Sequence, residues 1–127
     1  MHKFRFQIAF ADTDAGGIVY HARHIEICER ARMNMMNGWD YNRDGGFVLR
    51  GLAAEYKNPI LLGELVDIET EFIEVGNASC KARQTLKVGD EVRSVITVDV
   101  VFVNAMLRPI RLTDQLVEFL KQKGIKL

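Results

Sequence analysis

The sequence predicts an α+β fold in which an antiparallel sheet curls around one long helix. Three observations lead there. Residues 3–10 alternate apolar and polar, residues from about 20 to 37 shift to a helical period, and residues 47–104 return to strand character interrupted only by glycine turns.

Taking the elements in order, Phe4, Phe6, Ile8 and Phe10 share one face while Lys3, Arg5 and Gln7 share the other, which predicts a half-buried strand from Lys3 to Phe10. After Gly16-Gly17, Ile27, Cys28, Ala31 and Met35 recur at helical spacing, flanked by Ile25 and Met36, with Arg23, Glu26, Arg30 and Asn37 opposite. Glu26 and Arg30 stand at i,i+4, and Gly38 is placed to stop the helix. So broad an apolar face must lie against a sheet. Trp39 to Gly46 reads as a turn-rich loop. Val66, Ile68, Thr70 and Phe72, then Cys80, Ala82, Leu86 and Val88, alternate with polar partners, and Gly63, Gly76-Asn77 and Gly89-Asp90-Glu91 mark the turns between strands. A last helix is expected over Thr113–Lys123, ending at Gly124. Hairpin-joined strands make an antiparallel sheet, and the helices are too few to cover both its faces, so a dimer or larger assembly is expected.

The bulk numbers bound the partners. A chain of 127 residues, 48% hydrophobic and 27% charged, is sized for one domain over residues 1–127. Seventeen basic and seventeen acidic residues cancel, which argues against a nucleic-acid or anionic-membrane partner. No apolar run approaches the roughly 20 residues of a membrane span, and MHKFRFQIAF lacks the features of a signal peptide, so a cytoplasmic location is expected. Cys28 and Cys80 read as buried free thiols, and Met33, Met35 and Met36 as core filling.

The stretch FADTDAGGIVYHARH holds the candidate chemistry. A helix start leaves N–H groups without intrahelical partners, and no Ser, Thr, Asp or Asn stands at Tyr20–His24 to cap them. With the glycines before the helix, free N–H groups are expected near Val19 to Ala22, facing a carboxylate at Asp14. A carboxylate and an anion-stabilising helix start on two sides of a carbonyl are what acyl transfer requires. The same residues also make an ordinary turn. His21, His24 and Asp14 are a weak metal set with no further ligands nearby, so no metal is expected.

DTDAGGIVYHARHIEICERAR, residues 12–32, resembles the signature of the 4-hydroxybenzoyl-CoA thioesterase family of hotdog-fold enzymes, especially the branch of bacterial acyl-CoA thioesterases associated with the Tol-Pal system. Glu55-Tyr56-Lys57-Asn58-Pro59 and Gly63-Glu64 extend the resemblance. It implies a single hotdog domain that hydrolyses short-chain or aromatic acyl-CoA. Asp14 is then the catalytic nucleophile or general base and His21 an active-site histidine, with Gly16, Gly17, Val19 and Tyr20 in the substrate and oxyanion loop and Lys57 as a substrate-binding residue. It further implies no cofactor beyond the coenzyme A of the substrate and a homodimer or homotetramer with acyl-CoA at a subunit interface; an acyl carrier protein is a candidate partner. Arg50, Lys57, Lys81, Arg83 and Lys87 are candidate cations for coenzyme A. One departure stands out: some members of this branch have tyrosine where this chain has Phe10, which offers no hydroxyl. The same fold also serves acyl-thioester hydration or dehydration, and a non-catalytic acyl-binding module is the remaining alternative.

Overall fold

The computed structural model describes residues 1–127. Alternation in the sequence becomes five strands: β1 (His2–Gln7), β2 (Gly46–Tyr56), β3 (Leu65–Val75), β4 (Ser79–Val88) and β5 (Glu91–Val103). They form one antiparallel sheet in the order β1-β3-β4-β5-β2. Three helices accompany it, α1 (His21–Met35), α2 (Tyr41–Asp44) and α3 (Asp114–Gln122).

Ile27, Cys28 and Ala31 of α1 bury against Val66, Ile68, Ala82, Leu86, Ile96 and Val98 of the sheet. The opposite sheet face is ion-paired, with Arg5–Asp67, Arg83–Glu71 and Lys87–Glu69 bridging neighbouring strands. Register shifts at Leu49/Gly51, Phe72/Glu74 and Leu86/Lys87 interrupt the ladders, where bulges bend strands. This is the hotdog arrangement. A second cluster, built from Met35, Met36, Trp39, Phe102, Leu116, Leu120 and Ile125, seats α3 against the far end of α1. Cys28 and Cys80 are free and buried, and burial pushes their thiols up to about 12 and about 11.

Several expectations need correcting. The first strand stops at Gln7, because the Asp12 carboxylate accepts the Ala9 N–H at 2.8 Å and turns Phe10–Asp12 into a 3-10 helix. Phe10 is therefore 82% exposed instead of lying on the strand's inner face. Met33 is also exposed, while Met35 and Met36 are core residues as expected. The Glu26–Arg30 pair is replaced: Glu26 binds Arg23 at 2.5 Å, and Arg30 lies over the Phe6 ring at 5.8 Å. Within the expected loop over Trp39–Gly46, Asp40 caps α2 by accepting from the N–H groups of Asn42 and Arg43.

The edge strand β2 differs from its neighbours. Leu52, Ala54 and Tyr56 stand opposite the buried Val98, Ile96 and Ser94 of β5 and so face the α1 side, yet all three are exposed. Its inner face is open around Leu52 and Ala54, while Phe47 at one end packs on Phe72 and Phe102 and Tyr56 at the other packs on His24.

Candidate active site

The segment between β1 and α1 is a built loop. Asp14 N donates to Ile18 O at 2.9 Å, and Gly17 N donates to Asp14 O at 3.1 Å. Gly17 adopts φ +79°, a left-handed value that favours glycine. The loop is fastened outside as well: Leu62 N donates to Gly17 O, and the Arg23 guanidinium touches Asp12 at 3.3 Å while donating to Ala11 O at 2.8 Å. Asp12, 7% exposed, is thus a structural carboxylate.

Asp14 is held differently. Its Oδ1 accepts the Gly16 N–H at 2.8 Å, and no cation pairs with it; its other oxygen has no partner in the chain. α1 begins on Tyr20, which lines the same pocket, with no side-chain cap. The N–H groups of Tyr20, His21 and Ala22 find no acceptor in the chain. Such donors favour negative charge in front of them. Val19 is not one of the free donors: its N–H binds Ile60 O at 2.8 Å and its side chain is 3% exposed in the core. The Gly16 and Gly17 N–H groups are likewise spent on Asp14, so these glycines shape the turn and its open approach and offer no oxyanion donor.

A pocket of about 400 Å³ opens here, lined by Asp14, Tyr20, His21, His24, Tyr56 and Lys57 with Ile18, Val19, Asn58 and Pro59. The structure thereby brings Asp14, His21, Tyr20 and Lys57 together. Phe10 is outside it; the phenol near α1 belongs to Tyr56, whose hydroxyl donates to His21 O at 2.7 Å. Tyr56 packs edge-on against His24, with ring centroids 5.0 Å apart, and His24 Nδ1 meets Ser94 Oγ at 2.8 Å. Burial pushes the His24 imidazole below its ordinary value, a hydrogen bond to the Val19 backbone opposes this, and nearby His21 adds to it. His24 is therefore uncharged near neutrality, a buried helix residue that is also part of the pocket wall.

Lys57 stands at the pocket with Nζ 3.3 Å from Glu55. The other candidate cations lie elsewhere, paired with sheet carboxylates: Arg50 with Asp99, Lys81 with Glu74, Arg83 with Glu71 and Lys87 with Glu69. Sequence reading missed Tyr56 and Ser94 as site residues. Tyr56 had a signal, as the only aromatic in the EYKNP segment; Ser94 had none, since it meets His24 only through the fold. No three His, Cys, Asp or Glu side chains converge into a metal-binding group, and no helix is long and apolar enough to cross a membrane.

Comparison with known proteins gives the family. The thioesterase-like superfamily model matches residues 8–122. The acyl-CoA thioesterase YbgC of Haemophilus influenzae is 33% identical over 108 residues, covering 80% of this chain and 79% of that protein. The acyl-CoA thioesterase YbgC of Helicobacter pylori is 36% identical over 74 residues, so the chain spans 56% of that relative's length. A probable thioesterase from Bartonella henselae has the same fold, with a TM-score of 0.78 and 26% identity over 89% of this chain and 98% of its own. Because the family match runs unbroken from the Asp14 loop through α3, the chain belongs to the thioesterase-like superfamily.

Proposed function

We propose that the chain hydrolyses the thioester of acyl-CoA to the free acid and coenzyme A, acting on short-chain or aromatic acyl groups in the branch that its motif resembles. The observation that carries this reading is the half-free Asp14 carboxylate beside the uncapped start of α1. A thioester carbonyl oxygen placed on the N–H groups of Tyr20, His21 and Ala22 gains donors where its negative charge develops, and each such donor is worth about 3 kcal/mol in a hydrolase. The free oxygen of Asp14 then attacks the carbonyl carbon, or removes a proton from a water that does so. Collapse of the tetrahedral intermediate breaks the C–S bond, and His21 is placed to protonate the departing thiolate. In the nucleophilic route the one water consumed then hydrolyses the acyl-aspartyl anhydride, releasing the acid and regenerating Asp14. The reaction consumes only water and is proposed to need no metal or organic cofactor.

The assembly proposed is a homodimer, or a tetramer built from it, made by pairing β2 with its copy. The unpaired edge and the exposed Leu52 and Tyr56 support this. The whole chain acts as one domain, in the cytoplasm, with Lys57 contacting the substrate and an acyl carrier protein as a second thioester donor to be compared with coenzyme A.

The test is thiol release from short, long and aromatic acyl-CoAs, with Asp14→Asn beside the parent. Turnover by the parent and its loss in the variant are expected; full activity in Asp14→Asn would remove Asp14 from the mechanism. Single turnover in H2 18O tests the nucleophilic route, since label in Asp14 requires an anhydride whose aspartyl carbonyl is attacked by water.

A further inference from the structure

A second cavity, about 350 Å³, opens between the later half of α1 and the first half of β2. Its walls are mostly apolar, with Met33, Met36, Phe47, Leu49 and Phe72 among them. One wall is cationic. Arg32 reaches the cavity, and its Nη1 donates to Gln84 Oε1 at 2.8 Å. Gln84 is fully buried, and its amide nitrogen donates to both Cys28 O at 3.0 Å and Thr70 Oγ1 at 3.1 Å. Those two bonds fix the amide with its oxygen toward Arg32, so the guanidinium rests on a rigid neutral anchor.

What Arg32 lacks is a directly paired carboxylate. Arg5, Arg23, Arg43, Arg50, Arg83 and Arg93 each touch an Asp or Glu, but no carboxylate lies within 4.0 Å of Arg32. Glu29 lines the same cavity, is exposed, and stays beyond that distance. Glu29 acts on Arg32 only through space, a partly buried cation with no directly paired carboxylate is unfavourable, and its free N–H groups suit a bidentate one. An unsubstituted alkyl chain in this cavity would leave them unmatched.

We infer that Arg32 selects acyl groups bearing a second, distal carboxylate, so that the preferred substrates are coenzyme A monothioesters of short dicarboxylic acids. This rests on the thioesterase reading above and names its substrate class. The proposed dimer supplies the connection. Tyr56, at the end of β2, sits at the start of α1, whereas Phe47 and Leu49, near its beginning, share the cavity with Met33 and Met36 near the end of α1. Antiparallel pairing of two copies about the middle of β2 therefore sets the Arg32 cavity of one beside the Asp14 pocket of the other.

The experiment compares adipyl-CoA with hexanoyl-CoA, which have equal carbon counts, and includes 4-hydroxybenzoyl-CoA. Turnover is measured on the parent, Arg32→Met and Arg32→Lys, with binding measured on Asp14→Asn. The parent is expected to favour adipyl-CoA by about tenfold or more in kcat/KM over both others, a size typical of one added polar contact. Arg32→Met should lose that preference, its adipyl-CoA kcat/KM falling to or below its hexanoyl-CoA value, and Arg32→Lys should retain part of it. Equal or better use of hexanoyl-CoA or 4-hydroxybenzoyl-CoA by the parent, or an equal loss on both six-carbon substrates in Arg32→Met, overturns the inference. If Arg32→Met does not fold, the parent's ratio decides alone. If the parent turns over nothing, the thioesterase reading fails, and the adipyl-to-hexanoyl binding ratio on Asp14→Asn still judges Arg32.

Discussion

α3 begins on Thr113, whose hydroxyl accepts the Leu116 N–H at 3.1 Å, and α2 begins on Asp40, whose carboxylate accepts two N–H groups. α1, the longest helix and the one most deeply packed, begins on Tyr20 with no cap at all. A missing cap costs a helix about 1 kcal/mol. The chain caps the starts of α2 and α3 and leaves donors open at α1, whose start shares a pocket with the Asp14 carboxylate. Residues that break a local rule of helix design thus coincide with the pocket, as expected of a functional site.

That contrast can be broken from either side. The largest effect is expected from Asp14→Asn, which removes the charge facing α1 while keeping the shape: kcat should fall by about two orders of magnitude or more with the melting temperature nearly unchanged. Next, Tyr20→Ser supplies α1 with the cap it lacks. It should gain stability relative to Tyr20→Ala by about 1 kcal/mol in urea unfolding, yet lose roughly tenfold in kcat/KM, because the new hydroxyl occupies a donor needed by the substrate. If the capped variant keeps full activity, the open helix start has no catalytic use. Thr113→Ala is the opposite experiment: a loss of about 1 kcal/mol of stability with thiol release per folded molecule unchanged.

The smallest effect concerns pH. Burial holds the folded His24 imidazole below its ordinary value of 6.5. As pH falls through 6.5 the unfolded chain takes up that proton first, so the stability associated with neutral His24 is complete above this pH and declines below it. Melting temperature should therefore drop between pH 7.5 and 5.5, and His24→Gln should flatten part of that drop. Glu64, whose carboxyl Arg93 holds below its ordinary 4.5, acts in a separate window: its contribution is lost only as pH falls below 4.5 toward its lowered value. A parent melting temperature that stays flat to pH 5 would show that His24 is not held neutral.

Much of this was legible before folding was considered. The two periods of the sequence give the sheet and α1, because each reports which side chains must leave water, and the lack of a capping residue before His21 is visible in the letters. Phe10 misled because alternation continues past Gln7; what ends the strand is the Asp12 carboxylate seizing the Ala9 N–H, a local competition that a hydrophobic pattern does not register. Glu26 misled because two arginines lie within reach, and the one already anchored by Asp12 and Ala11 loses less freedom on pairing. Val19 N–H is satisfied by Ile60 and His24 meets Ser94 only through contacts distant in the chain, which no short-range pattern encodes.

The two cysteines acquire a meaning from the proposed reaction. An acyl-CoA hydrolase works in a rising concentration of its own product, a free thiol that under oxidising conditions becomes a disulfide ready to exchange with any accessible thiolate. Cys28 and Cys80 are shut in the core and pushed up to about 12 and about 11, so neither offers a thiolate to attack. The folded chain should resist capture as a mixed disulfide with coenzyme A, and dyes that count released thiols should read the product without titrating the protein.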